Sequence, residues 1–206
     1  MKKLILAITL LTFGSNLNAQ QSDESMSLNG RWFLMGQAGY NSSNEGDTQS
    51  YNFIPQVGTF VAEDVALGLG IGYQGTKEER EFNDMTNTDK SELFIIKPLA
   101  RKYWNINEKL YFFGELAVPF GFGKITNENT VGNTTSSTEA KYTNIGVQLA
   151  PGLDYYLSNN WSIEATIGLL GWNSVKPEEG DASNSFNFGL NSGVDTGVKI
   201  GVKYLF

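Results

Sequence analysis

From Arg31 onward the chain alternates apolar and polar residues with a period of two, in eight separate stretches. In the last of them, Val198, Ile200, Val202, Tyr204 and Phe206 alternate with Lys199, Gly201 and Lys203. Period-two alternation is the mark of a β-strand with two unlike faces. The pattern predicts strands over 31–41, 50–62, 65–75, 91–104, 110–123, 142–157, 161–173 and 190–206. Most are longer than the ~5–6 residues usual in soluble domains. Each is long enough for the ~9–11 tilted residues with which a β-strand crosses a bilayer.

The connections carry a second pattern. "NSSNEGDTQ", "TKEEREFNDMTNTD", "KITNENTVGNTTSSTEAK" and "SVKPEEGDASNSFNF" read as long polar loops, and between them "ED", "NINEK" and "SNN" are short. Long and short alternate through all seven, so the long loops gather at one end of a meander and the tight turns at the other. The fold class this predicts is all-β, an eight-stranded antiparallel up-and-down transmembrane β-barrel. An even strand number puts both termini at the turn end.

Parity then sorts two surfaces. One holds Val65, Leu67, Leu69, Ile71 and Tyr73, Leu116 to Phe122 by twos, Ile145, Val147 and Leu149, and Trp161 to Leu169 by twos. Charge at the bilayer midplane costs roughly 2–4 kcal/mol, so this parity faces lipid. The other holds Gly68, Gly70, Gly72, Gln148 and most strand charges: Lys97, Arg101, Glu115, Asp154, Glu164, Asp195, Lys199 and Lys203. An eight-stranded barrel has room inside only for side chains, and charges enclosed there must be paired. These eight are therefore candidates for an ion-pair network filling the lumen; Lys203, Asp154 and Lys97 could alternatively be solvated near strand ends. Leu93, Ile95, Leu99, Phe113 and Leu170 share the inward parity as a modest apolar patch. Trp172 is out of parity with Trp161, which predicts a bulge or strand end near Gly171. Trp32, Trp104, Tyr155, Trp161 and Tyr204 fall near the turn end and suit an interfacial aromatic girdle.

Composition narrows the function. Lys2 and Lys3 precede an apolar run from Leu4 to Phe13 and Ala19 follows, the form of a signal peptide over 1–19. Residues 20–30 read as a disordered polar leader and 31–206 as the barrel domain. The net charge of −7 becomes −9 without the two N-terminal lysines, which excludes a nucleic-acid footprint. Cysteine and histidine are both absent. No disulfide, no Ser–His catalytic arrangement and no histidine metal ligand can be built. The loop acids, such as Glu78, Glu79 and Glu81, match no calcium-loop spacing and read as a solvated rim. No cofactor, metal or enzymatic activity is expected.

Three stretches carry a family resemblance: "FIPQVGTFVAEDVALGLGIGY", "KPLARKYWNINEKLYFFGELAVPFG" and "VKIGVKYLF". Over 31–206 the chain resembles the small eight-stranded outer-membrane barrels of the OmpA/OmpX type and their opacity-protein-like, porin-like relatives. The resemblance implies a monomer in the outer membrane of a Gram-negative bacterium, with periplasmic termini. It implies outer-membrane lipid and lipopolysaccharide as surroundings. It also implies that Phe206, with Tyr204, is the signal read by the barrel-assembly machinery. The expected role is non-enzymatic, structural for the envelope or presenting surface loops for adhesion. A narrow channel for small solutes and transport of a small apolar ligand are the alternatives.

Overall fold

A computed structural model describes residues 27–43, 47–83, 85–189 and 199–206. The signal-peptide and Asp195 assignments lie outside the described residues. Twelve strand segments follow in order: β1 (Trp32–Ser43), β2 (Thr48–Phe53), β3 (Gln56–Ala62), β4 (Val65–Phe82), β5 (Met85–Asn107), β6 (Leu110–Ala117), β7 (Phe120–Val131), β8 (Thr134–Tyr156), β9 (Trp161–Thr166), β10 (Leu169–Pro177), β11 (Ser183–Gly189) and β12 (Lys199–Leu205). All pairings are antiparallel, and β12 pairs with both β9 and β1, which closes the sheet into a barrel.

Twelve segments make eight barrel strands because several are halves of one strand. β2 and β3 both pair with β4, β6 and β7 both with β5, and β9 and β10 both with β8, while β11 and β12 pair with β10 and β9 in turn and make the eighth strand. The first two breaks fall at Ile54–Pro55 and Val118–Pro119. Proline has no N–H for the ladder. Its carbonyl still serves: Pro55 accepts from the Ile71 N–H at 3.1 Å and Pro119 from the Gly146 N–H at 3.0 Å.

The third break corrects the sequence reading. It lies at Ile167–Gly168, several residues before Gly171. Side-chain parity switches there, so Leu169 lines the lumen, while Leu170 pairs with the outward Leu149. The expected inward Leu170 and outward Leu169 are thus exchanged. Trp172, 42% exposed, joins the outer face beyond the switch.

The long loops differ too. The β4–β5 ladder runs unbroken from Val65↔Lys102 to Phe82↔Met85, and the β7–β8 ladder ends at Val131↔Thr134. Stretches read as loops are ribbons projecting from the barrel. Neither of their faces packs against an apolar core, so they carry no apolar alternation to reveal them. Gly132, with φ 56°, makes the tight turn at one tip, a backbone shape glycine adopts without strain.

At the turn end the leader is partly ordered. Leu28 is buried in the barrel mouth, its N–H donates to Glu63 Oε2 at 3.2 Å, and the Gly30 N–H donates to the Phe60 carbonyl at 2.8 Å. Burial of one leucine, worth about 1.5–3 kcal/mol, outweighs the polar composition that made 20–30 read as disordered throughout.

Outside, below the ribbons, the exposed large apolar residues of the barrel strands are mostly those of the lipid-facing parity. Trp32, Tyr155, Trp161 and Tyr204 ring the turn end, with Trp161 and Tyr204 at 4.8 Å between centroids and Trp104 against Phe112 at 5.5 Å. A second aromatic row, Phe53, Tyr73, Phe94 and Phe122, runs in register across four adjacent strands. Trp104 and Phe94 are ten residues apart on β5. At ~3.4 Å per residue and the usual tilt, the two belts stand ~25 Å apart, the height of a barrel's apolar band.

Candidate functional site: the filled lumen

The inward parity of β5 carries Lys97, Arg101 and Tyr103, all buried. Glu115 enters from β6, Asp154 from β8, Glu164 from β9 and Lys203 from β12, each likewise enclosed. Arg101 is the hub. Its Nε donates to Glu115 Oε2 at 2.7 Å, and its Nη1 and Nη2 donate to Glu164 at 2.6 and 3.1 Å. That fork-on-carboxylate geometry is the strong form of the ion pair. Lys97 Nζ donates to Glu115 Oε1 at 3.0 Å, so one carboxylate bridges two cations. Lys203 pairs with Asp154 one layer nearer the turn end. Three cations meet three carboxylates in this network. It therefore encloses charge at no net charge.

Aromatic rings close the layer below. The Lys203 ammonium lies 5.1–5.9 Å from the centroids of Phe33, Phe60, Tyr103 and Tyr156, a cage of four rings. The Arg101 guanidinium stands 4.6 Å over Phe113. Ring quadrupoles attract such cations, more so when water is excluded. Glycine makes the room. A Cβ on Gly58 would sit 2.4 Å from the Phe33 ring, and one on Gly152 would sit 2.3 Å from Phe113. Each faces its aromatic directly across a strand pair.

The structure brings six of the eight candidate residues into this network. Lys199 lines the wider upper lumen instead, beside Lys97. Sequence reasoning placed Phe113 inward by parity but passed over Tyr103, Gln56, Phe33 and Phe60. Tyr103 Oη accepts from Arg101 and Lys203, both at 3.5 Å, and shares the parity of Arg101 two residues along. That parity was the available signal. Gln56 Oε1 accepts from Arg101 Nη2 at 3.5 Å, and no pattern in β3 marks it as a partner.

Above Lys97 the lumen opens into a vestibule of about 340 Å³ toward the ribbon end. Its walls mix amides, such as Asn144, Asn173 and Gln148, with Leu93, Ile95 and Leu169. At the ribbons the acids are held by neighbouring cations, with Lys77 on Glu79 at 2.6 Å and Lys90 on Glu128 at 2.8 Å. Among the described residues no cluster of three or more acids is placed to hold a metal.

No protein-family model and no curated protein sequence matches the chain. Solved structures do. A major outer membrane protein from Thermus thermophilus aligns over 86% of this chain and 99% of its own, with a TM-score of 0.50 at 12% identity. CarO of Acinetobacter baumannii aligns over 84% and 97%, with a TM-score of 0.40 at 13% identity. The N-terminal barrel domain of OprF of Pseudomonas aeruginosa aligns over 86% and 98%, with a TM-score of 0.34 at 15% identity. The closed eight-stranded ring, the lipid-facing belts and the likeness to the Thermus thermophilus barrel together give the chain the fold of the small outer-membrane β-barrels of the OmpA/OmpX type.

Proposed function

We propose that the protein is a non-enzymatic barrel of a Gram-negative outer membrane that does not conduct solutes. Its work is done at the ribbon end, in stabilising the envelope or in presenting the ribbons at the cell surface. One observation carries this reading: the lumen is filled from wall to wall by the Arg101 network and the ring cage below it. Its side chains are almost wholly inaccessible, and each buried charge is held by a partner whose removal would cost about 3–5 kcal/mol.

In this reading the turn end and both termini are periplasmic, and the ribbons of β4–β5, β7–β8 and β10–β11 reach outward. Phe206, exposed and stacked on Tyr204 at 6.1 Å, is the residue offered to the assembly machinery. A second reading has one observation in its favour. The vestibule is partly apolar and shut at its floor, which suits a cup for a small ligand better than a channel.

The deciding experiment is single-channel recording of the refolded mature protein in a planar bilayer. Stable insertion with silent traces is expected. Regular conductance steps would overturn the reading.

A further inference from the structure

On the outer wall, at the boundary between lipid and ribbons, lies a surface pocket of about 720 Å³ that the lumen does not share. Its floor is aromatic: Tyr73, Phe94 and Phe122, the row that marks the upper edge of the apolar band. Its rim carries more cations than acids: Lys124, Lys141 and Lys176, from three adjacent barrel strands, against Glu92 and Glu178. Lys124 faces Lys141 directly across the β7–β8 pair. Lys176 faces Thr143, one diagonal step from Lys141. Like charges directly opposed across strands are destabilising, and diagonal neighbours stand only ~7–8 Å apart.

The chain relieves this only in part. Lys124 is bound to Glu92 at 3.1 Å and lies 3.8 Å from Glu139. Lys141 and Lys176 are exposed and make no ion pair among the described residues. Glu178 also lines the rim, its backbone N–H donating to the Lys141 carbonyl at 2.9 Å. Three lysines gathered over an apolar floor, on a chain of net charge −7, call for an anion with a hydrocarbon tail. Lysine stems lie along apolar surface while their ammonium groups reach upward. Two ammonium groups at diagonal spacing can share one phosphate.

We propose that this pocket is a binding site for the phosphorylated sugar headgroup of an outer-leaflet glycolipid, of the diphosphoryl lipid A kind. A phosphate bridges Lys141 and Lys176, and an acyl chain lies over Phe94 and Phe122. The inference rests on the membrane placement proposed above and names the partner of that surface.

The test uses the refolded mature protein in phosphatidylcholine nanodiscs doped with diphosphoryl lipid A, with bound lipid counted by native mass spectrometry. Insertion is checked first, by the protease-protected barrel fragment. One retained glycolipid is expected. Lys141→Gln with Lys176→Gln should weaken retention at least tenfold, while Lys109→Gln at the turn end changes nothing. Dephosphorylated lipid A should be lost to the same degree. Unchanged retention by the double variant overturns the site. So does equal retention of phosphatidylglycerol, which would reduce it to general anion attraction, or binding of inorganic phosphate as tightly as of the lipid. A protein that fails to insert overturns the membrane placement together with the site, whereas one that inserts without holding lipid overturns the site alone.

Discussion

The two halves of the lumen are built from the same strands and behave differently. Toward the turn end, the inward positions of β1, β3, β5, β6, β8 and β12 hold large rings and paired charges, and many are wholly inaccessible. Toward the ribbon end, β5 and β8, together with β4 and the upper halves β7 and β10 of the broken strands, offer glycine, amides and aliphatics around the 340 Å³ vestibule. The lower half is a core in the ordinary sense, where volume and charge must both balance. The upper half is a wall around an open vestibule. Identical backbone geometry thus supports a plug or a cup, and inward side-chain volume decides which.

The sharpest way to break this contrast is to empty the plug. Replacing Arg101, Glu115 and Glu164 together by alanine removes the hub without leaving either of its carboxylates unpaired. Planar-bilayer recording should change from silent to stepwise conducting, while Gln148→Ala in the vestibule stays silent. Asp154→Leu should cost about 3–5 kcal/mol, because it strands the Lys203 ammonium in a dry site. Urea unfolding in lipid vesicles measures this. The double change Asp154→Leu with Lys203→Met should recover most of the loss, since an apolar pair of similar volume removes the desolvation cost as well.

Smaller effects sharpen the contrast. Gly152→Ala drives a methyl group to within 2.3 Å of the Phe113 ring and should cost about 1–3 kcal/mol in the same assay. Gly171→Ala in the upper half meets its nearest atom, the Val147 carbonyl oxygen, at 3.3 Å and should cost less than Gly152→Ala. Smallest of all, Asn173→Ala on the vestibule wall should stay within about 0.5 kcal/mol, as for a surface site.

Much of this contrast was legible in the chain, for an identifiable reason. A barrel strand in lipid has one apolar face over its whole length, so parity alone assigns Lys97, Arg101, Glu115 and Glu164 to the inside. The same logic fails where its premise fails. In the ribbons neither face meets lipid, and the 76–89 and 124–141 stretches gave no alternation although they pair residue by residue. At Ile167–Gly168 a break within one barrel strand reverses parity, and Leu169 and Leu170 exchange sides.

By itself, the sequence determined the architecture: period two, alternating long and short connections, and an inward set of both charge signs leave little besides a closed barrel. Which cation meets which carboxylate was decided only by the tertiary structure. Arg101 and Glu164 lie on strands that are not neighbours in the sheet, and they meet because closure of the ring brings opposite walls within one side-chain length. Lys199 shares the parity of Lys203 yet stands in the vestibule, one layer above the cage. Parity is a local property of each strand. Height and partner across a barrel are fixed by shear and closure, which no single strand contains.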